Sequence, residues 1–226
     1  MSDLVVGITG ASGAVYAVRL LHVLLGSGHT VHVTVSPSAV KVLKHELGLY
    51  VDLDDFDQSQ LLPEGADLED DGLIGNIQPA GSGFAVSSVF SDSDITRGRL
   101  HYHHFEDLTA PISSGSFLTG GMIICPCSMG TLAGIATGQS TNLIHRAADV
   151  HLKERRPLIV VPRETPLGSI QLENMKRLAD AGATILPAMP AFYHTPVTIH
   201  DLVDFVVARI LDQCGIKHEL IKRWGS

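Results

Sequence analysis

The stretch GMIICPCSMGTLAGIATGQSTNLIHRAADVHLKERRPLIVVPRE, residues 121–164, decides the fold. Residues 122–124 and 158–161 are short apolar runs closed by Pro126 and Pro162, which is typical of buried strands. Two helices fit between them, the second over residues 143–154. A strand, a helical segment and a second strand in this order predict an α/β fold with a mainly parallel sheet.

Polar residues follow both predicted strands. Residues 128–131 (Ser-Met-Gly-Thr) come after the first run, and residues 163–164 (Arg-Glu) come after the second. Open α/β sheets bind ligands beyond the carboxyl ends of their strands. Arg146 and Lys153 lie on the helix between the two strands. Cations, a helix start and a loop of small residues together predict an anionic ligand that carries phosphate.

The first 36 residues restrict the kind of nucleotide. Residues 4–9 predict a strand, residues 10–13 (Gly-Ala-Ser-Gly) a tight turn, and the following residues a helix. A second strand over residues 31–35 ends at Ser36, where dinucleotide sites usually place an acid for the ribose. Ser36 therefore favours a mononucleotide such as FMN over NAD. Ser36 is also predicted to cap a helix that has Pro37 at its first position. No Tyr is followed four residues later by Lys, which removes the catalytic pair of a short-chain dehydrogenase.

The composition predicts one domain, residues 1–226, and limits the partners. The chain has 226 residues, is 45% hydrophobic and has a formal charge of −8. Residues 52–71 hold nine acids and no Lys or Arg, which leaves 15 of the 24 acids against 16 bases elsewhere. A nearly neutral body without a basic cluster argues against nucleic acid. The N-terminal segment has neither a basic leader nor an uninterrupted apolar span, so we expect a cytoplasmic protein without membrane contact.

Several polar features have a plain structural interpretation. Cys125 and Cys127 are predicted to be buried thiols, and no closed set of metal ligands is expected. Residues 52–100 predict an acidic, exposed excursion with one strand-like run at residues 84–90. Residues 101–104 (His-Tyr-His-His) are interpreted as a polar surface hairpin. Glu46 lies on a helix predicted over residues 38–47, and the helical pattern by itself predicts that its side chain is solvated.

Several long motifs carry a resemblance to a known family. Five motifs resemble the UbiX-type flavin prenyltransferases, namely the stretch from CPCSMG to PRETP (125–166), GITGASGA (7–14), LENM (172–175), PAFYHTP (190–196) and DLVDFVVARILDQCGI (201–216). The similarity covers nearly the whole chain except residues 52–100. It implies a three-layer Rossmann-like, flavodoxin-like flavoprotein fold. It also implies that a dimethylallyl group passes from dimethylallyl monophosphate to N5 and C6 of reduced FMN without a metal.

The family pattern also implies partners and alternatives. Its members form dodecamers in which neighbouring subunits complete each site, and their prenylated FMN serves UbiD-type decarboxylases. An FMN-dependent cysteine decarboxylase would have Pro-Ala-Ser-Ala-Asn-Thr where residues 126–131 are Pro-Cys-Ser-Met-Gly-Thr. A non-catalytic FMN-binding accessory protein stays open, since flavin contacts alone would satisfy it.

The resemblance assigns roles to individual residues. The catalytic positions are Glu46, Lys153, Glu164, Arg146 and Ser12. The FMN-binding positions are Gly10, Ala11, Ser12, Ser36, Ser128, Met129, Gly130, Thr131 and Arg163. The positions at the prenyl group and its phosphate are Ser114, Gly115, Lys153, Tyr193 and Arg209.

Overall fold

The computed structural model describes residues 3–63 and 98–221 and contains one six-stranded sheet. Its strands are β1 (Asp3–Ile8), β2 (Thr30–Val35), β3 (Arg99–Tyr102), β4 (Gly121–Cys127), β5 (Leu158–Pro162) and β6 (Thr184–Ile185). They lie in the order β3-β2-β1-β4-β5-β6, and every neighbouring pair is parallel. The predicted α/β, flavodoxin-like fold is confirmed.

Helices cover both faces of this sheet. They are α1 (Ala14–Gly26), α2 (Pro37–Leu47), α3 (Gln58–Leu61), α4 (Met129–Ala136), α5 (Leu143–Lys153), α6 (Ser169–Asp180) and α7 (Ile199–Gln213). Apolar residues of α1 and α7, such as Leu20, Leu24 and Ile210, form the core on one face. Helices α4, α5 and α6 enclose the other face, where Ile144 and Leu178 are buried. These two cores hold the carboxyl ends of the strands in one row.

The central strand β4 extends further than its sequence predicted. All seven of its residues are buried, as expected of a parallel strand covered on both faces. The sequence placed its end at Ile124 because proline cannot donate a ladder hydrogen bond. The structure continues through Pro126 to Cys127, and the register with β5 shifts between Ile124 and Cys127. This irregularity accommodates the proline within the strand.

The segment that was interpreted as a hairpin is a strand, so that prediction was wrong. Residues 99–102 form β3, which pairs in parallel with β2 at the edge of the sheet. Tyr102 stacks on Phe56 at 4.2 Å between ring centroids, while Arg99 and His101 are exposed. An edge strand with one covered face needs only alternate apolar residues, which a short histidine-rich run conceals. The strand-like run at residues 84–90 lies outside the described residues.

Candidate functional site

The turn between β1 and α1 is closed by a carboxylate from α2. The Glu46 side chain accepts hydrogen bonds from the Gly13 N–H at 2.9 Å and from the Ala14 N–H at 2.9 Å. Gly13 has a φ of 109°, which an L side chain rarely adopts, and a Cβ on Gly10 would collide with Ser38. The interpretation of Glu46 as a solvated side chain was therefore wrong. A helix N-terminus carries partial positive charge, and this one is neutralised within the chain.

Two further helices begin at the same edge of the sheet and have serine caps. Ser36 accepts from the Ala39 N–H at 3.1 Å at the start of α2, and Ser128 accepts from the Thr131 N–H at 3.3 Å at the start of α4. The cap predicted at Ser36, with Pro37 in the first turn, is confirmed. Each helix start presents N–H groups of the kind that bind phosphate.

Thr9 joins the ends of β1 and β4. Its hydroxyl donates to the Pro126 carbonyl at 2.7 Å and accepts from the Ser128 N–H at 2.8 Å. The role of Thr9 could not be predicted, because a threonine at the end of an apolar run has no distinguishing pattern. It sets the position of the α4 start relative to the Gly10–Gly13 turn.

One arginine reaches this edge from β5. The Arg163 Nε donates to the Ser12 carbonyl at 3.1 Å, so the guanidinium lies against the first turn. Arg163 is half-buried, whereas the neighbouring Glu164 is exposed and accepts from the Thr165 N–H. The residues predicted to bind FMN thus converge on the carboxyl ends of four adjacent strands. We name this region the strand-end site, comprising residues 10–13, 36, 46, 128–131 and 163.

The two cysteines of β4 lie beneath the strand-end site without taking part in it. Both are fully buried, as predicted. Burial raises the pKa of the Cys125 thiol and of the Cys127 thiol well above the usual range. A thiol that stays protonated is a poor nucleophile, so these side chains are packing residues.

A second group of predicted residues lies along α5. Arg146 donates from Nε to the Ser113 carbonyl at 3.0 Å and pairs with Asp149 at 2.9 Å. At the end of the helix the Lys153 amine pairs with Glu154 at 2.6 Å, a contact that lowers the pKa of the Glu154 carboxyl. Gly115 lies against this pair, because a Cβ placed on it would be 3.1 Å from Lys153 Nζ. Ser114 is exposed in the same loop.

A third group lies on the opposite face of the sheet. Tyr193 is half-exposed and meets the Phe205 ring edge-on at 5.7 Å. Arg209, on α7, pairs with Asp212 at 2.7 Å and lines a groove of about 370 Å³ beside β6. The groove wall also includes Ile185 and Phe205.

The chain matches a protein family, curated relatives and solved structures. The model of the Flavoprotein family matches residues 1–211. Flavin prenyltransferase UbiX of Halalkalibacterium halodurans is 46% identical over 221 residues, which cover 98% of this chain and 92% of that protein. Flavin prenyltransferase UbiX of Pseudomonas aeruginosa is 42% identical over 219 residues, which cover 97% of this chain and 92% of that protein. The chain belongs to the UbiX-type flavin prenyltransferases of the flavoprotein family.

Solved structures of UbiX-type proteins agree with this assignment. AnUbiX in complex with FMN and dimethylallyl pyrophosphate has a TM-score of 0.75 and 36% identity, covering 99% of this chain and 97% of that one. A dodecameric FMN-dependent UbiX-like decarboxylase from Escherichia coli has a TM-score of 0.75 and 39% identity, covering 99% and 100%. The cysteine decarboxylase TvaF, at 15% identity and a TM-score of 0.53, shares the fold alone.

Within one chain, the residues matched to the UbiX pattern do not form a single cluster. Lys153 ends α5 before β5 begins, and Arg163 follows the last residue of β5. The four steps from the first to the last residue of that strand separate its two ends by about 13 Å, far more than a hydrogen bond spans. That both cations act on one phosphate stays a prediction, and within a single protomer they flank opposite ends of β5. Proximity in sequence is lost because a strand lies between them.

Proposed function

We propose that this chain transfers a dimethylallyl group from dimethylallyl phosphate to reduced FMN, forming bonds at N5 and C6. The observation that carries the proposal is the AnUbiX complex with FMN and dimethylallyl pyrophosphate, which this chain matches over nearly its full length. The strand-end site agrees with it, since two serine-capped helix starts and Arg163 suit the phosphate of a mononucleotide. The product would serve a UbiD-type decarboxylase in the cytoplasm.

Reduced FMN supplies the electron-rich ring that attacks the prenyl carbon. The chain must stabilise the negative charge that develops on the leaving phosphate as the allylic C–O bond breaks. Lys153, Arg163 and Arg209 provide fixed cations, and the Tyr193 hydroxyl provides a neutral donor. Such donors are effective when they are aimed in advance at the position where charge appears. A monophosphate bound in this way needs no metal to neutralise it.

Gly115 and Ser114 would form the wall of the prenyl pocket. A side chain on Gly115 would displace Glu154 and then Lys153, so glycine keeps space beside the amine. Arg146 donates to the Ser113 carbonyl and so orients this wall of the prenyl pocket. Glu164 is exposed at the strand-end site and is the available carboxylate for proton transfer there. Glu46 is engaged by two backbone N–H groups, so its contribution is to hold the turn that carries Ser12.

We assign completion of the site to neighbouring subunits. The three groups lie at the carboxyl edge of the sheet, along α5, and on the α7 face, so several copies must meet to surround one substrate. The dodecameric relative from Escherichia coli supports such an assembly. The described residues include no helix that is long and apolar enough to cross a bilayer.

The decisive experiment follows the mass of the flavin. Protein loaded with FMN is reduced and incubated with dimethylallyl monophosphate or diphosphate, and the released flavin is analysed by mass spectrometry and absorbance. We expect the mass to increase by one dimethylallyl group, and we expect FMN but no NAD to copurify or bind. Unchanged FMN with either donor would instead favour an FMN-binding accessory protein.

A further inference from the structure

Two arginines hold the loop that carries Ser114 and Gly115. Arg146 donates to the Ser113 carbonyl, and Arg156 donates from Nη1 to the Phe117 carbonyl at 2.7 Å and from Nη2 to the Gly115 carbonyl. Every second carbonyl from residue 113 to residue 117 is therefore bound by a guanidinium group. Arg156 binds two of them through separate nitrogens of one planar group, a geometry that the single ammonium of lysine does not reproduce.

The end of α5 fixes the direction of Arg156. Arg155 adopts a left-handed conformation, with φ of 56°. The Arg156 N–H returns to the His151 carbonyl at 2.8 Å and the Arg155 N–H to the Leu152 carbonyl at 3.1 Å. This pair of bonds is a Schellman motif, which ends the helix with a defined turn. The next residue, Pro157, accepts a hydrogen bond from β4, so the backbone is held on both sides of Arg156.

Besides the two arginines, the loop has few connections between residues 113 and 117, and one of them is the Phe117 ring, which meets His32 edge-on at 5.1 Å. In the described part of the chain, its own backbone hydrogen bonds stay local, such as Ser114 N–H to Pro111 and Phe117 N–H to Ser114. The contact of Thr119 with His151 at 2.8 Å anchors only the end of the segment. The position of Gly115 relative to α5 therefore depends on the two arginines.

That position matters because Gly115 lies directly against the Lys153–Glu154 pair. A Cβ on Gly115 would come within 3.1 Å of Lys153 Nζ and closer still to Glu154 Oε1. If the loop moved away, the amine would gain space and lose a fixed orientation. Misplacement of a binding group by about 1 Å can cost on the order of 100-fold in rate.

We infer that Arg156 is a positioning residue of the prenyl-phosphate site: it holds Gly115 against Lys153 and so fixes the lysine amine. The inference rests on the proposed function, because it concerns how that lysine meets a prenyl phosphate. Among the described residues, the guanidinium hydrogen bonds of Arg156 go to the loop carbonyls, and its charge also helps to lower the pKa of Glu154, the partner of Lys153. A lysine in its place keeps that charge but could serve only one of the two carbonyls, so the substitution isolates the effect of the loop.

The test compares Arg156→Lys with Arg155→Lys as a matched control. In the described residues the Arg155 side chain has no hydrogen bond or ion pair, so its replacement tests charge and general position alone. For Arg156→Lys we expect kcat/KM for dimethylallyl phosphate to fall about 10- to 100-fold, with FMN affinity and melting temperature unchanged. Hydrogen–deuterium exchange of residues 112–118 should accelerate in this variant. Arg155→Lys should match the native protein in each measurement.

Each of three results would contradict the inference that Arg156 positions Lys153 through the loop. Unchanged exchange in Arg156→Lys would show that the arginine does not order the loop. Faster exchange with a native kcat/KM would show that the position of the loop does not affect Lys153. Parallel losses in melting temperature, FMN affinity and kcat/KM would indicate a purely structural role. If the native protein forms no prenylated flavin, the proposed function fails, and exchange alone then decides whether Arg156 orders the loop.

Discussion

Complementation between two inactive variants should show whether Lys153 and Arg163 of different protomers serve one site. Lys153→Ala removes a donor to the developing phosphate charge, which typically costs about 100- to 1000-fold in rate, and FMN should stay bound. Arg163→Ala should also be nearly inactive and bind FMN more weakly, since this side chain lies against Ser12. Each variant alone should therefore give about 1% of the native rate or less.

The two variants are coexpressed with different affinity tags, and mixed oligomers are purified through both tags. If one protomer supplies Lys153 and its neighbour supplies Arg163, random mixing leaves both groups intact in about one quarter of the sites of a symmetric assembly. We expect prenyl transfer at saturating FMN to recover to about that fraction. The structural reason is that Lys153 precedes and Arg163 follows β5, whose ends are about 13 Å apart.

A second mixture provides the control. Native protein coexpressed with the Lys153→Ala/Arg163→Ala double variant should retain about one quarter of its activity if the site is shared, and about one half if each chain supplies both residues. Activity of the first mixture no higher than that of the separate variants, together with one half in the second, would refute the shared site.

The remaining predictions concern stability. Glu46→Ala removes a charged acceptor from two backbone N–H groups, a loss of about 2 kcal/mol, so the melting temperature should fall by about 4–8 °C in a thermal-shift assay, and an unchanged value would contradict the capping role. Asp204→Ala leaves buried Arg19 unpaired and should cost about 3–5 kcal/mol in denaturant unfolding, most of which Arg19→Met should restore in the double variant. Burial lowers the pKa of His22 from 6.5 to about 4, so only the unfolded chain binds this proton between those values. Stability should therefore fall as pH drops from about 6.5 to about 4, and less so in His22→Gln; an identical slope in both proteins would exclude His22 as a cause.

The sequence predicted most of the strand-end site because its signals are local. The apolar runs, the Gly10–Gly13 turn and the serine caps each occupy a few consecutive residues, and a parallel sheet places their ends together. Glu46 was misinterpreted because its partners are more than 30 residues away, and no helical pattern reveals which N–H groups a carboxylate will meet. The edge strand β3 was missed for a different reason. One of its faces is exposed, so its sequence has only a weak apolar pattern.

The relation between Lys153 and Arg163 could not be predicted from spacing. The two residues are only ten positions apart in the sequence, which suggests that they lie close together. A strand advances about 3.3 Å with each residue, however, so the strand between them separates them in space. The role of Arg156 was hidden in the same way. Its two acceptors are backbone carbonyls, and backbone atoms carry no sequence signature.

Both edges of the sheet are unsuited to accepting another strand. At one edge, β6 has only two residues, and at the other, β3 presents the exposed side chains of Arg99 and His101. Short strands and outward charges are common protections against uncontrolled pairing of edges. Copies of this chain must therefore join through their helices and loops, whose surfaces can close into a finite ring or cage. An assembly joined in that way would not grow into a fibre by pairing of sheet edges.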